Sequence, residues 1–438
     1  MRTKFLLFIL TLFASAAALA SPQIQHWTTS NGGRVYFVQA PELPMLDLRL
    51  IFDAGAARDG GDAGLAVLTN GMLAEGAGGL DANQIAERFE SVGAQFGNSS
   101  HRDMAILDLR SLTDPQYLEP ALDTLGKIVA KPDFPKDAFE RERNRMLIGL
   151  EQRKQSPEAL ADEAFYKAVY GDHPYASDPM GDEASIKAMT LAKLKAFYQQ
   201  YYVARNVVLT IVGDLSRDAA EKLAERLLSP LAEGQAAPDL PPVKPLAQAV
   251  EVRIEHPSAQ THILVGLPGM SRQDPDYFPL YVGNHVLGGS GLVARLSAEI
   301  REKRGLAYST YSYFRPMRVK GPYTFGAQTR NESADETLTV LRDELKEFVA
   351  EGPTAAELEA SKKNITGGFP LRISSNKKII DYIGMIGFYG LPLDYLDTFN
   401  AKVQAVTLKD IRDAFQRRVN PDKMVTVLVG GLQHNAKL

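Results

Sequence analysis

Apolar positions along the first half of the chain recur with two spacings, and each spacing predicts one kind of element. Residues 46–52 alternate between apolar and polar side chains, which is typical of a strand with one buried face. Residues 65–72 carry apolar side chains at helical spacing. Residues 137–151 are rich in Arg and Glu and predict a charged helix, and the apolar run at 206–214 predicts a buried strand.

The second half repeats the order of elements that closes the first. A helical stretch at 190–197 leads to an apolar strand that ends at Gly213, and a similar stretch at 407–415 leads to a strand that ends at Gly430. Helix and strand both recur at an offset of 217 residues, which indicates duplicated domains. Residues 229–245 contain five prolines and little periodicity, as a linker does.

These patterns predict an α+β fold of two homologous domains, each a mostly antiparallel sheet covered by helices on one face. The predicted domains span residues 21–228 and 246–438. A chain of 438 residues exceeds one ordinary core, so two domains also fit its length.

Composition argues against two classes of binding partner. The chain is 45% hydrophobic and 23% charged, as soluble globular proteins are, and its formal net charge is −4. Lys and Arg are scattered, so neither a nucleic acid nor an anionic membrane surface is an expected partner.

The first 20 residues predict a secretory signal peptide. Arg2 and Lys4 precede an apolar run at 5–13, and Ala18 and Ala20 offer small residues for cleavage before Ser21. A retained anchor is the alternative, but the run is short for a stable membrane span. Since the chain contains no cysteine, neither a lipoprotein anchor nor a disulfide is available. We therefore expect a periplasmic protein without a stable membrane anchor.

The most informative stretch lies at 284–314. Glycines at 288, 289 and 291 predict a loop, leucines and Ile300 then recur at helical spacing, and Gly305 ends the helix before an alternating, tyrosine-rich strand. A helix–Gly–strand corner of this kind can bring Arg301 and Tyr308 together. Guanidinium and phenol both donate hydrogen bonds to an anionic or carbonyl oxygen. For an arbitrary corner, however, a solvated Arg and a half-buried strand Tyr would be the ordinary interpretation.

The sequence of this stretch resembles that of the second domain of pitrilysin-type peptidases, the inverted-zincin family that includes the mitochondrial processing peptidase. The shared features are the Leu-Gly-Gly loop, the Arg-Leu helix and the Arg-Glu-Lys-Arg-Gly-Leu-Ala-Tyr corner. The resemblance implies two related domains arranged as a clamshell. It also implies that Arg301 and Tyr308 bind the scissile carbonyl of a peptide substrate.

The zinc site of that family is missing here. Peptide-cleaving members carry His-x-x-Glu-His on the first long helix, where two imidazoles hold Zn²⁺ and the Glu activates water. Matching residues 64–76 to that pattern places Val67, Asn70 and Gly71 at the His, Glu and His positions. The distal Glu of the family falls on Gly149, because Glu151 is two positions out of register. We therefore expect neither metal nor cofactor in this chain.

No other chemistry replaces the zinc site. The seven histidines are separated singletons with no two of them four residues apart, so each is expected to be an ordinary surface or hydrogen-bonded residue. The chain has no Gly-x-Ser-x-Gly, no cysteine nucleophile and no Gly-rich loop that ends in Lys-Ser/Thr. A self-sufficient hydrolase with an unrelated site therefore finds no support.

The resemblance thus implies a non-catalytic, substrate-binding subunit of a heteromeric zinc endopeptidase, inactive alone. A homologous partner would supply zinc and the general base, and Arg301 and Tyr308 would reach across to the peptide substrate. The alternative is a non-proteolytic peptide-binding or assembly protein of the same fold, which would hold an extended peptide at a sheet edge.

Overall fold

The computed structural model describes residues 22–431. The predicted signal peptide, residues 1–20, lies outside the described residues. The first half consists of β1 (Gln25–Thr28), β2 (Arg34–Gln39), β3 (Met45–Phe52), α1 (Leu65–Met72), β4 (Gly76–Ala77), β5 (Leu80–Asp81), α2 (Ala82–Glu90), β6 (Gln95–Ser100), β7 (Ala105–Leu112), α3 (Pro115–Ala130), α4 (Lys136–Arg153), α5 (Pro157–Tyr170), α6 (Glu183–Lys187), α7 (Leu191–Tyr201), β8 (Val207–Gly213) and α8 (Arg217–Leu228).

Residues 229–245 form neither a helix nor a strand. The second half follows with β9 (Val250–Glu255), β10 (Gln260–Pro268), α9 (Tyr277–Asn284), two π-helical segments (His285–Gly289 and Ser297–Glu302), β11 (Ala307–Phe314), β12 (Pro322–Arg330), α10 (Ala334–Glu351), α11 (Ala355–Arg372), α12 (Asn376–Tyr389), α13 (Tyr395–Ala405), α14 (Leu408–Arg418) and β13 (Val425–Gly430). None of the helices in residues 22–431 combines the length and apolar character needed to cross a membrane.

The two halves build sheets of matching order. The first sheet has the order β1-β2-β8-β3-β7-β6 and the second β9-β13-β10-β12-β11. Neighbouring strands are antiparallel except for β2 with β8 and, at the same place in the second sheet, β9 with β13. Apart from the additional β1, each strand of one sheet has a counterpart in the other. The predicted α+β class with two homologous, mostly antiparallel sheets is therefore confirmed.

Each half has its own core on one face of its sheet. Apolar residues of β2, β3, β7 and β8 pack against α1, α2, α3 and α7, and the second sheet packs in the same way against α9, α10, α13 and α14. The strand β8 is buried along its whole length, which explains its nearly continuous apolar sequence.

The opposite face of each sheet is covered by a helix from the other half. Ile379, Ile380 and Ile383 of α12 pack against Val38 and Val212 of the first sheet. In the reverse direction, α5 packs on the second sheet. Gly266 of β10 makes room for the ring of Phe165 on α5, because an added Cβ would lie 2.7 Å from that ring. The two halves therefore exchange helices, and burial of these apolar side chains holds them together.

A buried carboxylate ties the halves together at the same contact. Asp103 of the first half accepts hydrogen bonds from the hydroxyl of Tyr175, from the hydroxyl of Tyr389 on α12 at 3.0 Å and from the backbone N–H of Arg318 at 2.8 Å. Burial raises the pKa of Asp103, and these donors oppose the shift. The network thus joins four segments that are distant in sequence.

Candidate functional site

The corner that carries Arg301 and Tyr308 is built differently from the single helix that its sequence predicts. Residues Gly291–Val293 form a 3₁₀ turn, Ala294 is extended, and the chain then continues as the π-helical segment Ser297–Glu302. Because Ala294 interrupts the helical path, Leu292 is 59% exposed and does not share the apolar side of Leu296. The prediction of one regular helix over this stretch was wrong.

Buried contacts and one ion pair hold the corner in place. Leu296 and Ile300 are fully buried in the second core. Arg295 donates two hydrogen bonds, of 2.6 and 2.7 Å, to the carboxylate of Glu357 at the start of α11. Burial alone would raise the pKa of Glu357, but the guanidinium and the N–H and hydroxyl of Thr354 hold this pKa at about 2.

Gly305 ends the π-helical segment and turns the chain into β11. Its φ of 62° lies in the left-handed region that favours glycine, and its N–H donates to the carbonyl of Arg301 at 3.0 Å. The pairing of β11 with β12 then skips one residue, since Ala307 faces Thr329 and Ser309 faces Gln328. This β-bulge leaves Tyr308 unpaired and directs it outward.

Arg301 and Tyr308 meet on the surface of the second half. The guanidinium carbon of Arg301 lies 4.6 Å from the centroid of the Tyr308 ring, within the range of a cation–π contact. Tyr308 is 80% exposed. The neighbouring carboxylate of Glu299 is already bound by Lys303 and Arg304. The guanidinium and phenol therefore face solvent, where they can donate to an oxygen of another molecule.

The positions that the family resemblance matches to zinc-site residues lie on two neighbouring helices of the first half. Val67, Asn70 and Gly71 are on α1, and Gly149 is on α4, which packs against α1. Asn70 is buried, and its amide donates to the hydroxyl of Tyr202 at 3.3 Å. Gly71 and Gly149 both have open space where a Cβ would stand. A side chain longer than hydrogen could therefore begin at either glycine without meeting a neighbouring atom.

These residues do not fit a zinc ion. Valine and glycine side chains offer no ligand atom, and the one polar side chain at these positions, Asn70, is bonded to Tyr202. Within residues 22–431, no group of three His, Cys, Asp or Glu side chains could hold a metal ion.

Asp59 is a structural residue that the sequence interpretation missed. It is 4% exposed and its carboxylate accepts the backbone N–H groups of Gly64 at 2.9 Å and Ala66 at 2.7 Å. Burial raises its pKa to about 7. Asp59 thus caps the helix α1 from several residues upstream. In the sequence, an acidic residue shortly before a helix is the pattern that indicates such a cap.

Comparison with known proteins agrees with this arrangement. Residues 34–183 match the family model described as insulinase (peptidase family M16), and residues 188–365 match the peptidase M16 inactive domain. Among curated relatives, the non-peptidase homolog YmxG of Helicobacter pylori is 26% identical over 391 residues, which cover 88% of this chain and 89% of that protein. An uncharacterized zinc protease of the same name from Bacillus subtilis is 24% identical over 358 residues, covering 81% of this chain and 86% of that protein.

Solved structures share the whole architecture. A crystal structure of a peptidase M16 inactive domain from Pseudomonas fluorescens superposes with a TM-score of 0.90 and 44% identity, covering 93% of this chain and 98% of that one. A protease from Helicobacter pylori superposes with a TM-score of 0.85 at 18% identity, covering 93% of this chain and all of that one, and this second similarity shows the fold.

Proposed function

This chain belongs to the M16 peptidase family, and from that premise we propose that it is the non-catalytic, substrate-binding subunit of a heteromeric zinc endopeptidase. The chain is an inactive homologue within the family, since Val67, Gly71 and Gly149 stand where zinc ligands would be. In the proposal, Arg301 and Tyr308 bind the scissile carbonyl. A homologous partner provides zinc, water and the general base.

One observation carries this proposal. A guanidinium and a phenol from opposite sides of the Gly305 turn lie 4.6 Å apart, measured from the guanidinium carbon to the ring centroid, and Tyr308 is 80% exposed. This exposure leaves the phenol of Tyr308 accessible to a bound peptide and to a partner subunit.

The chemistry of the pair fits carbonyl binding. Attack of water on a peptide bond places negative charge on the carbonyl oxygen, and donors that are already in place stabilise that charge. Arg301 offers the N–H donors of a guanidinium and Tyr308 offers a phenolic O–H. Neither group needs to gain or lose a proton during the reaction.

The proposal also covers the compartment and the peptide. Arg2, Lys4 and the small residues before Ser21 support export to the periplasm with removal of residues 1–20. N-terminal sequencing of protein recovered from the periplasm should begin at Ser21, whereas protein that retains Met1 would contradict this part. The strand β11 forms the outer edge of its sheet, so an extended peptide could pair with its backbone.

The activity test requires two chains. A homologous subunit with an intact His-x-x-Glu-His, sought first in the neighbouring reading frame, is purified with and without this chain. We expect peptide hydrolysis only from the mixture, and a loss of about 100-fold to 1000-fold in kcat/KM for Arg301→Ala. Tyr308→Phe should also lower the rate, because it removes only the donating hydroxyl.

A matched control separates substrate binding from folding and assembly. Lys303→Ala removes a cation two residues from Arg301 and should leave the rate and subunit association unchanged. Full activity of both Arg301→Ala and Tyr308→Phe in an intact complex would refute the carbonyl-binding role. Chelator-sensitive hydrolysis by this chain alone would refute the division of labour.

The second candidate is a non-proteolytic peptide-binding or assembly protein. Its support is the similarity to the non-peptidase homolog of Helicobacter pylori. This candidate predicts that the chain binds peptides or a partner and that no combination of subunits hydrolyses peptides. The same mixing experiment therefore distinguishes the two.

A further inference from the structure

The second half contains a cavity of about 500 Å³ between α9, the glycine loop and the strand β11. Two arginines face it, and its lining includes no acidic side chain. Its lining includes Arg272, Tyr277, Tyr281, Tyr311, Tyr313 and Arg372.

Arg272 brings an incompletely satisfied guanidinium to this cavity. One of its terminal nitrogens donates to the hydroxyl of Tyr277 at 3.3 Å, and its guanidinium carbon lies 5.5 Å from the centroid of the Tyr389 ring. Its Nε is buried and has no hydrogen-bond partner among the described residues. A buried donor without a partner is costly, and it marks this guanidinium as incompletely paired within the protein.

Arg372 lies at the same cavity from the end of α11. Its guanidinium donates to the hydroxyl of Tyr281 at 2.9 Å. The rings of Tyr277 and Tyr281 are stacked with their centroids 6.0 Å apart. Each of these two hydroxyls accepts a hydrogen bond from an arginine, and a phenol can also donate its own O–H.

The positive charge at this cavity is not balanced by nearby acids. Asp274 and Asp276, close to Arg272 in sequence, are engaged by Arg417 and Arg418. His285 lies in the lining, but its ring is hydrogen-bonded to Ser361 and Asn364, and burial lowers its pKa. Within residues 22–431, neither arginine of the cavity forms an ion pair.

We propose that this cavity binds a carboxylate of the peptide that lies along β11. The planar, forked donors of two arginines together with phenolic O–H groups match the geometry of a carboxylate. Tyr311 and Tyr313 line the cavity and belong to the same strand as Tyr308. At a rise of about 3.3 Å per residue, Tyr313 lies roughly 17 Å along the strand from Tyr308.

This assignment rests on the proposed peptide-binding role and adds specificity to it. A peptide paired with β11 would place its carboxylate about five residues from the bond held by Arg301 and Tyr308. The carboxylate can belong to an acidic side chain or to the peptide C-terminus, since both offer the same two oxygens. The subunit would therefore select acidic peptides, or peptides with a nearby C-terminus.

Three N-acetylated probes test the proposal by calorimetry with this chain alone. The probe Ala-Ala-Ala-Ala-Glu-amide carries only a side-chain carboxylate, pentaalanine with a free C-terminus carries only a terminal one, and Ala-Ala-Ala-Ala-Gln-amide carries neither. We expect at least one carboxylate probe to bind about tenfold or more tightly than the Gln-amide probe. The probe that binds identifies the source of the carboxylate.

Variants connect binding to the cavity. Arg372→Gln, at an exposed position, and the double variant Arg272→Gln/Arg372→Gln should abolish the preference, while Arg330→Gln on the distant end of β12 should retain it. Unchanged melting temperatures verify folding, and the exposed single variant alone suffices if the double variant unfolds. Equal binding of all three probes, no binding up to about 1 mM, or a preference that survives Arg372→Gln would overturn the proposal.

The outcome is independent of the activity test. Binding of these probes requires neither the partner nor Arg301 and Tyr308. If carboxylate binding is found while Arg301→Ala leaves hydrolysis unchanged, the carbonyl-binding role fails and the cavity assignment stands. If carboxylate binding is not found while Arg301→Ala abolishes hydrolysis, only the cavity assignment fails.

Discussion

Both halves of the chain contain a corner in which a helical segment, a glycine and an edge strand follow one another. The two side chains that meet there are apolar in the first half and carry hydrogen-bond donors in the second. In the second half, Gly305 follows Arg301 by four residues and precedes Tyr308 by three. In the first half, Gly93 stands in the same relation to Phe89 and Phe96, at the junction of α2 and β6. Both glycines have left-handed φ values, 63° and 62°, and β6 and β11 are matching edge strands.

The side chains at these corners meet in both halves. The rings of Phe89 and Phe96 are stacked with centroids 5.2 Å apart, and Phe89 is buried. Arg301 and Tyr308 make the corresponding contact at the surface. The helix–Gly–strand corner is therefore a structural device that brings two side chains together, and only their identity decides whether the pair fills a core or offers donors to a ligand.

The largest expected effect comes from returning zinc ligands to the first half. The variant Val67→His/Gly71→His/Gly149→Glu should bind about one zinc ion per chain, because three ligands then line a space that the glycines leave open. Asn70 is retained, so its bond to Tyr202 survives and no catalytic base is introduced. Metal analysis after gel filtration measures the ratio.

The single variant Gly71→His serves as the control for that experiment. One added imidazole should not retain zinc through gel filtration. If the triple variant also fails to retain zinc while remaining folded, the first half has lost the geometry of the site as well as its donors.

The two corners should respond differently to truncation. Phe89→Ala should lower the free energy of unfolding by about 3–5 kcal/mol, because it opens a cavity in the first core. Arg301→Ala should change it by less than about 0.5 kcal/mol, since the side chain contributes little packing at the surface. Denaturant titration of both variants compares them, and a cost for Arg301→Ala similar to that of Phe89→Ala would mean that the second corner is structural too.

The anchor of the second corner should be sensitive to acid. Glu357→Gln should cost about 1–2 kcal/mol by removing the charge-assisted bonds from Arg295. Because the folded pKa of Glu357 is depressed to about 2, its contribution is complete above the ordinary Glu pKa of about 4.3 and is lost as pH falls from there toward 2. Unfolding followed across this range should be less pH-dependent in the variant.

Glu347 offers the matched control, since it lies 3.9 Å from the same arginine with a mostly exposed side chain. Glu347→Gln should cost less than about 0.5 kcal/mol and keep the wild-type pH dependence. Identical behaviour of the two variants would show that the Arg295–Glu357 pair does not anchor the corner.

The smallest effects concern the glycines. Gly93→Ala and Gly305→Ala should each cost about 1 kcal/mol, because both positions require a left-handed backbone but leave open space for a methyl group. Gly367→Ala, in the helix α11 with equally open space, should instead stabilise the protein by up to about 1 kcal/mol. Thermal unfolding of the three variants distinguishes these signs, and equal costs for Gly93 and Gly305 would support the equivalence of the corners.

Local patterns in the sequence were enough to predict two mostly antiparallel sheets. The pair Arg301 and Tyr308 and the positions without zinc ligands were instead singled out by the family resemblance. The interruption at Ala294 could not be read from periodicity, because the leucine spacing suits a regular helix whether or not one forms. The corner at Phe89 and Phe96 has the same glycine spacing in the sequence, but two phenylalanines do not indicate a functional site. The cavity arginines, Arg272 and Arg372, lie far apart in sequence, and only the fold brings them together.

The exchanged helices have a consequence for movement. With α5 seated on the second sheet, α12 on the first, and Asp103 bonded to segments of both halves, a hinge between the halves would have to expose isoleucines and strip a carboxylate of its donors. The two halves of this chain are thus held together as one rigid unit. If the proposed function is correct, uptake and release of a peptide would depend on movement of the partner subunit over the face that carries Tyr308.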